Sequence, residues 1–307
     1  MKLKFLILTG LLIPLSCMRV DVDSQPELES GVLNHVSLGV KDLDLSDLSP
    51  ATRTEIEIIS GKVKFTWSST DVVGMFPDRG AQAFFEMSGH ENEPVAEFDG
   101  GGWALKSASE YAVYYPYDYD HRDCSSIPFN YLGQKQRGKG DYSHLADWQF
   151  LAQGMKRPEG GACNYSMERI EAIVWFHLTF PDIVSCDKLT VRTADGKPIV
   201  VGTTLDISET NYVINSSVEV SQFSLEVEDV STTVEGETVD FYAMMPPQEL
   251  KNHTIIISVH TTEGDNLLAA VEGKDMVPNK AYKFEATLTC DYASFMERFG
   301  LEDGFWE

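Results

Sequence analysis

Apolar and polar positions alternate along most of this chain. Val36, Leu38 and Val40 alternate with Ser37, Gly39 and Lys41, and Val63, Phe65 and Trp67 alternate with Lys64 and Thr66. Ile255, Ile257 and Val259 are interleaved with Ile256 and Ser258. Tyr282, Phe284, Ala286 and Leu288 are interleaved with Lys283, Glu285 and Thr287. A period of two puts one set of side chains on one face of an extended backbone, so these stretches predict half-buried strands of antiparallel sheets. Turn chemistry separates them, at Asp195-Gly196, at Glu263-Gly264-Asp265-Asn266 and at Pro278-Asn279. Eight strand-like runs between Ile170 and Thr289 predict one complete two-sheet sandwich. Residues 118–168 are polar and glycine-rich, and predict long loops with one short helical turn near His144–Leu151. The tail changes period: Tyr292, Phe295, Met296 and Phe299 fall at helical spacing.

The N-terminus carries a different pattern. Lys2 and Lys4 form a basic head, Phe5 to Leu12 is a nearly unbroken apolar run, and Ile13, Pro14, Leu15 and Ser16 lead to Cys17. A basic region followed by an apolar stretch of about 7–15 residues is a secretory signal. The run is too short for a membrane-spanning helix, which needs about 20 residues. A cysteine closing such a signal resembles a lipobox, where bacterial lipoproteins are cut and acylated, palmitate being among the acyl groups. Ser16 fits, whereas Pro14 stands where a leucine is usual, and an ordinary signal peptide is the alternative. The organisation predicted is a signal peptide over 1–16, a polar tether over 17–30, an N-terminal β-sandwich domain over 31–165 and a C-terminal β-sandwich domain with the tail over 166–307. The junction falls between about 155 and 170, and two domains suit a mature chain of about 290 residues.

Composition narrows the function classes. A content of 43% hydrophobic residues supports real cores. A formal net charge of −24 argues against nucleic acid as a partner and against docking on anionic lipid, both of which need clustered Lys and Arg. Beyond Cys17, Cys124, Cys163, Cys186 and Cys290 are compatible with disulfides or with free thiols. The histidines at 35, 90, 121, 144, 177, 253 and 260 form no zinc motif. No nucleophile elbow or phosphate loop is present, so no catalytic residue, metal or cofactor is assigned. The acidic run Asp118, Asp120, His121 and Asp123 departs from the EF-hand spacing and reads as a solvated loop. Val113, Tyr115 and Tyr117 alternate with Tyr114 and Pro116, as a core strand with tyrosines at its rim would, or a sugar-stacking face.

Several segments in order resemble the fimbrillin-like subunits of Bacteroidetes, the major and minor fimbrial proteins and their relatives. They are Ala51-Thr52-Arg53-Thr54; Phe65-Thr66-Trp67 followed by Asp71 to Phe76; Phe98 to Trp103 with Tyr111 to Tyr117; and Phe241 to Pro247 with Thr254 to Val259, Gly264 and Tyr282 to Phe284. The resemblance covers nearly all of the mature chain. It implies an all-β chain of two tandem transthyretin-like β-sandwich domains behind a lipoprotein signal peptide and short tether. It further implies acylation at Cys17, a place on the cell outer membrane and in the fimbrium, and an adhesive structural role without enzyme activity. An arginine-specific protease would cut between Arg53 and Thr54, remove the strand around Val36–Val40 and open a groove. Other fimbrial subunits would then fill that groove by donor-strand addition, with a host or bacterial surface ligand as a further partner. The tail departs from the pattern, because a polymerising member carries a C-terminal donor strand: Phe305 and Trp306 could anchor a short donor strand, or the aromatic tail packs on its own domain, as would suit a tip or anchor variant. The alternative from another class is a non-polymerising surface lipoprotein that binds glycan through Tyr114 or Tyr117.

Overall fold

The computed structural model describes residues 32–43, 66–100, 105–106, 108–158, 164–302 and 305. In the N-terminal half these form β1 (Val32–Leu33), β2 (His35–Val40), β3 (Val72–Pro77), β4 (Ala83–Gly89), β5 (Val95–Asp99), β6 (Leu105–Lys106), β7 (Tyr111–Tyr115), β8 (Ile127–Asn130), β9 (Lys135–Arg137), β10 (Leu151–Lys156) and β11 (Asn164–Arg169). Seven strands close into a barrel in the order β10-β11-β2-β5-β4-β3-β7, with β7 pairing back to β10. The β11–β2 pair is parallel and the other pairings in the barrel are antiparallel. The inward set of the alternation fills the barrel, with Val36, Leu38, Val73, Met75, Phe85, Phe98 and Val113 at its centre. Trp67 joins them fully buried, but from irregular backbone rather than from a strand, while Val63 and Phe65 lie outside the described residues.

The C-terminal half holds β12 (Ala172–Thr179), β13 (Ser185–Thr193), β14 (Ile199–Asp206), β15 (Val213–Val220), β16 (Phe223–Ser231), β17 (Thr238–Met245), β18 (Thr254–Thr261), β19 (Asn266–Glu272), β20 (Ala281–Thr287) and one helix, α1 (Tyr292–Phe299). Two sheets, β17-β12-β20 and β19-β18-β13-β16-β9, share one core built from Val174, Phe176, Leu189, Phe241, Ile257 and Phe284, among others. The three predicted turns are present: Gly196 and Gly264 have φ of 78° and 97°, and Asn279 has φ of 54°, the left-handed region that glycine and asparagine tolerate best.

Three features differ from the strand-by-strand expectation. The first is that β12 and β18 are covered on both faces rather than half-buried. The second face of β12 and β17, carrying Ile173, Trp175, Tyr242 and Met244, packs against the outside of the barrel at Phe76, Ala112, Tyr114 and Ala152, so one apolar core welds the halves together. The second face of β18 is closed by α1, whose Phe295 packs on Ile256 and Leu268. The second is that the polar region 118–168 contains strands as well as the expected helical turn, a 3-10 helix at Ser143–Trp148. Of these strands, β8 pairs with β14 and β9 with β16, so a segment from the first half of the chain completes sheets of the second. The third is that nine strands, not eight, run from Ala172 to Thr287, among them the mostly exposed β15, of which only Ile214 and Val220 are half-buried.

Candidate functional site

The site is the slot that β2 fills. Of its inward residues, the β-branched Val36 favours extended backbone, and Leu38 adds apolar bulk to the same face. Both edges are paired: Asn164 to Met167 of β11 lie opposite Ser37 to Val40, and Asp99 to Val95 of β5 lie opposite His35 to Gly39. Val36 and Leu38 point into the barrel with essentially no exposure, and Leu33 of the preceding β1 is equally buried. Trp67 Nε1 donates to Leu38 O at 3.1 Å, and the Trp67 ring meets Phe98 edge-on at 4.8 Å. Burial of each such aliphatic side chain contributes about 1.5–3 kcal/mol, so this strand holds much of the barrel's cohesion. His35, on the outward face, hydrogen-bonds Asp99 at 2.6 Å across the β2–β5 pair.

Beyond Val40 the chain leaves the barrel through a polar exit. Lys41 N donates to Met167 O at 2.8 Å, and the Lys41 ammonium pairs with the Glu168 carboxylate. Tyr212 OH donates to the other Glu168 oxygen at 2.8 Å. Burial raises the Glu168 pKa, but the hydrogen bonds from Lys41 and Tyr212 outweigh it and hold the group below the ordinary carboxylate range. Asn279 Nδ2 donates to Asp42 O at 2.7 Å, and Arg169 Nη1 lies 3.5 Å from both Lys41 O and Asn279 Oδ1. Leu43 then packs against the apolar core between the halves. Behind the exit sits Glu171, fully buried, with Phe150 N donating to its carboxylate at 3.3 Å. Burial pushes the Glu171 carboxyl up to about 8, with the nearby Arg169 pulling the other way.

The residues singled out from the sequence fare differently. Cys17, Arg53 and Thr54 lie outside the described residues, as does Cys163. Cys124, Cys186 and Cys290 carry free thiols. Tyr114 is fully buried, its ring stacked on Phe76 and its hydroxyl donating to Gln82 Oε1 and accepting from Asp118 N, so it offers no face to a sugar. Tyr117 is half-buried against Phe84. In the acidic run, Asp118 and Asp123 accept hydrogen bonds from Asp120 N and Ser125 N of their own loop. Glu168, Arg169 and Glu171 were not expected at the site, and Asn279 was expected only as a turn residue. The one signal was the abrupt step from Glu168-Arg169 and Glu171 into the apolar stretch that follows.

No family model matches the chain, and no curated protein matches it. Solved structures do. A candidate cell adhesion protein from Bacteroides ovatus superposes with a TM-score of 0.54 over 84% of this chain and 95% of that one, at 10% identity. A second, from Bacteroides uniformis, gives a TM-score of 0.50 over 84% and 94% at 10% identity. The tip fimbrial protein Mfa3 from Porphyromonas gingivalis, with a C-terminal truncation, gives 0.39 over 84% and 96% at 12% identity. The likeness is one of fold.

Proposed function

We propose that this protein is a fimbrial subunit, or a tip or anchor variant of one, that is exported to the cell outer membrane as a lipoprotein acylated at Cys17 and gives up β2 for a strand of another subunit. In this reading the chain forms two tandem transthyretin-like domains, with the barrel as the first. Cleavage between Arg53 and Thr54 frees everything up to Arg53, and with it β1 and β2. The observation that carries the proposal is the position of β2: it is the first long strand, it is paired on both edges, and it drives Val36 and Leu38 into the barrel. Its removal would leave an apolar slot flanked by the unpaired edges of β5 and β11, a strong template for strand addition. The fold likeness to the two Bacteroides structures supports a role in adhesion. The packing of α1 on β18 and β19 of its own chain fits a tip or anchor position. No catalytic step enters this reading.

The test is Arg53→Ala in the native host. The account expects an unprocessed precursor that stays monomeric on an unboiled gel, while the wild type is processed. Normal assembly by the variant would remove the cleavage step from the account.

A further inference from the structure

We propose that the polar exit of the slot fixes the register of whichever strand occupies it and selects a cationic side chain at one position of that strand. This rests on the reading of β2 as the surrendered strand, and it specifies the partner: an extended segment with aliphatic side chains two residues apart and a Lys or Arg three residues after the second of them.

The slot walls leave the register of the strand undetermined. The main-chain groups of β5 and β11 pair with any extended segment, and a slip by two residues keeps the same side chains facing inward. Something outside the ladder must stop the slip. At the exit two side chains take hold of successive carbonyls: Asn279 Nδ2 donates to Asp42 O at 2.7 Å, and Arg169 Nη1 reaches Lys41 O at 3.5 Å. Neither donor is free to follow a shifted strand. Arg169 is 1% exposed. Asn279 is fixed by its own N–H donating to Glu171 O at 2.8 Å, at a φ of 54°. Carbonyl capture carries no side-chain preference, but Glu168 does. Its carboxylate takes Lys41 on one oxygen and Tyr212 OH on the other. Exchanging Lys41 for an acidic residue would set two carboxylates together in a partly enclosed site, which costs more than the lost attraction alone. In a chain with 48 acidic and 24 basic residues, a demand for a cation at one position separates a matching strand from most of this chain's own segments.

Strand exchange in a nicked full chain tests this. The full chain is prepared with one specific protease site between residues 44 and 53, cut once, and a fluorescent peptide spanning residues 33–43 is added in excess. The same peptide carrying Lys41→Glu is added in parallel. The expected result is capture of the Lys41→Glu peptide about three- to tenfold weaker than the native one, the scale of a partly exposed ion pair and its reversal. Glu168→Lys in the protein should invert the preference. Glu168→Gln, a milder change, should abolish it. Asn279→Gly keeps the left-handed backbone; it should weaken both peptides alike and let a peptide displaced by two residues compete. Equal capture of both peptides by the wild type overturns the inference and leaves strand surrender standing. Failure of the nicked chain to exchange with any peptide overturns both.

Discussion

Glu171 is a carboxyl group without exposed surface, placed where the barrel meets the second half of the chain. Burial lifts it to about 8 from an ordinary 4.5. The unfolded chain therefore releases this proton near pH 4.5 while the folded chain keeps it to about 8. Over that window the unfolded state binds fewer protons, so stability falls as pH rises and is flat above it. Glu171→Gln should remove that slope, gaining on the order of a few kcal/mol over the parent at pH 9 relative to pH 4, as read from urea midpoints at the two pH values. A second residue-scale prediction concerns Gly154 in β10. A Cβ there would meet Glu209 O at 2.3 Å and Thr210 O at 2.6 Å, both main-chain atoms that cannot rotate away. Gly154→Ala should cost about 1–3 kcal/mol in chemical unfolding, as an overpacked core does. At this scale little of the site was legible. Lys41, Glu168 and Asn279 are ordinary surface residue types, and only three-dimensional pairing across 127 positions for Lys41 and Glu168, and 237 for Asp42 and Asn279, gives them a role.

Among the elements, β17 shows how this fold protects an edge. Gln134 Nε2 donates to Met244 O at 2.6 Å while Met244 N donates to Gln134 Oε1 at 2.8 Å. Gln136 repeats the pattern one step along, with Asp240 O at 2.9 Å and Tyr242 N at 2.9 Å. Two buried amides thus stand in for a neighbouring strand and satisfy an edge that would otherwise recruit another chain. The long strand β20 was legible from its period of two, and β12 and β18 from apolar runs rich in branched and aromatic residues. The helix was legible too: its spacing gave it, and Asp291 caps it by accepting from Ser294 N while Gly300 ends it at φ 62°. The short strands β8 and β9 were not, since four and three residues carry no period and their pairing is decided by distant partners. Because α1 meets the rest of the protein through few residues, its loss should be local. Phe295→Ala should speed amide exchange in 292–299 and across the face of β18 and β19, with little change in Tm.

For the whole molecule, the alternation of apolar positions reported the all-β class correctly, because it records which face is inward. It does not record whether hydrogen bonding closes a sheet or which strands neighbour one another, and the closure through β7 and β10 and the shared core of Phe76, Tyr114, Trp175 and Tyr242 came from the structure. The barrel is fixed to the second half of the chain through β3, β7 and β10, away from β2, so withdrawing β2 would leave that contact in place. The measurement that tests this most directly is the intact mass of the protein taken from the native cell surface, beside an unboiled gel. The account predicts a chain beginning at Thr54, lacking β1 and β2, held in a detergent-resistant assembly. A chain still carrying Cys17 and its lipid, with β2 in place and a single monomer band, would contradict it.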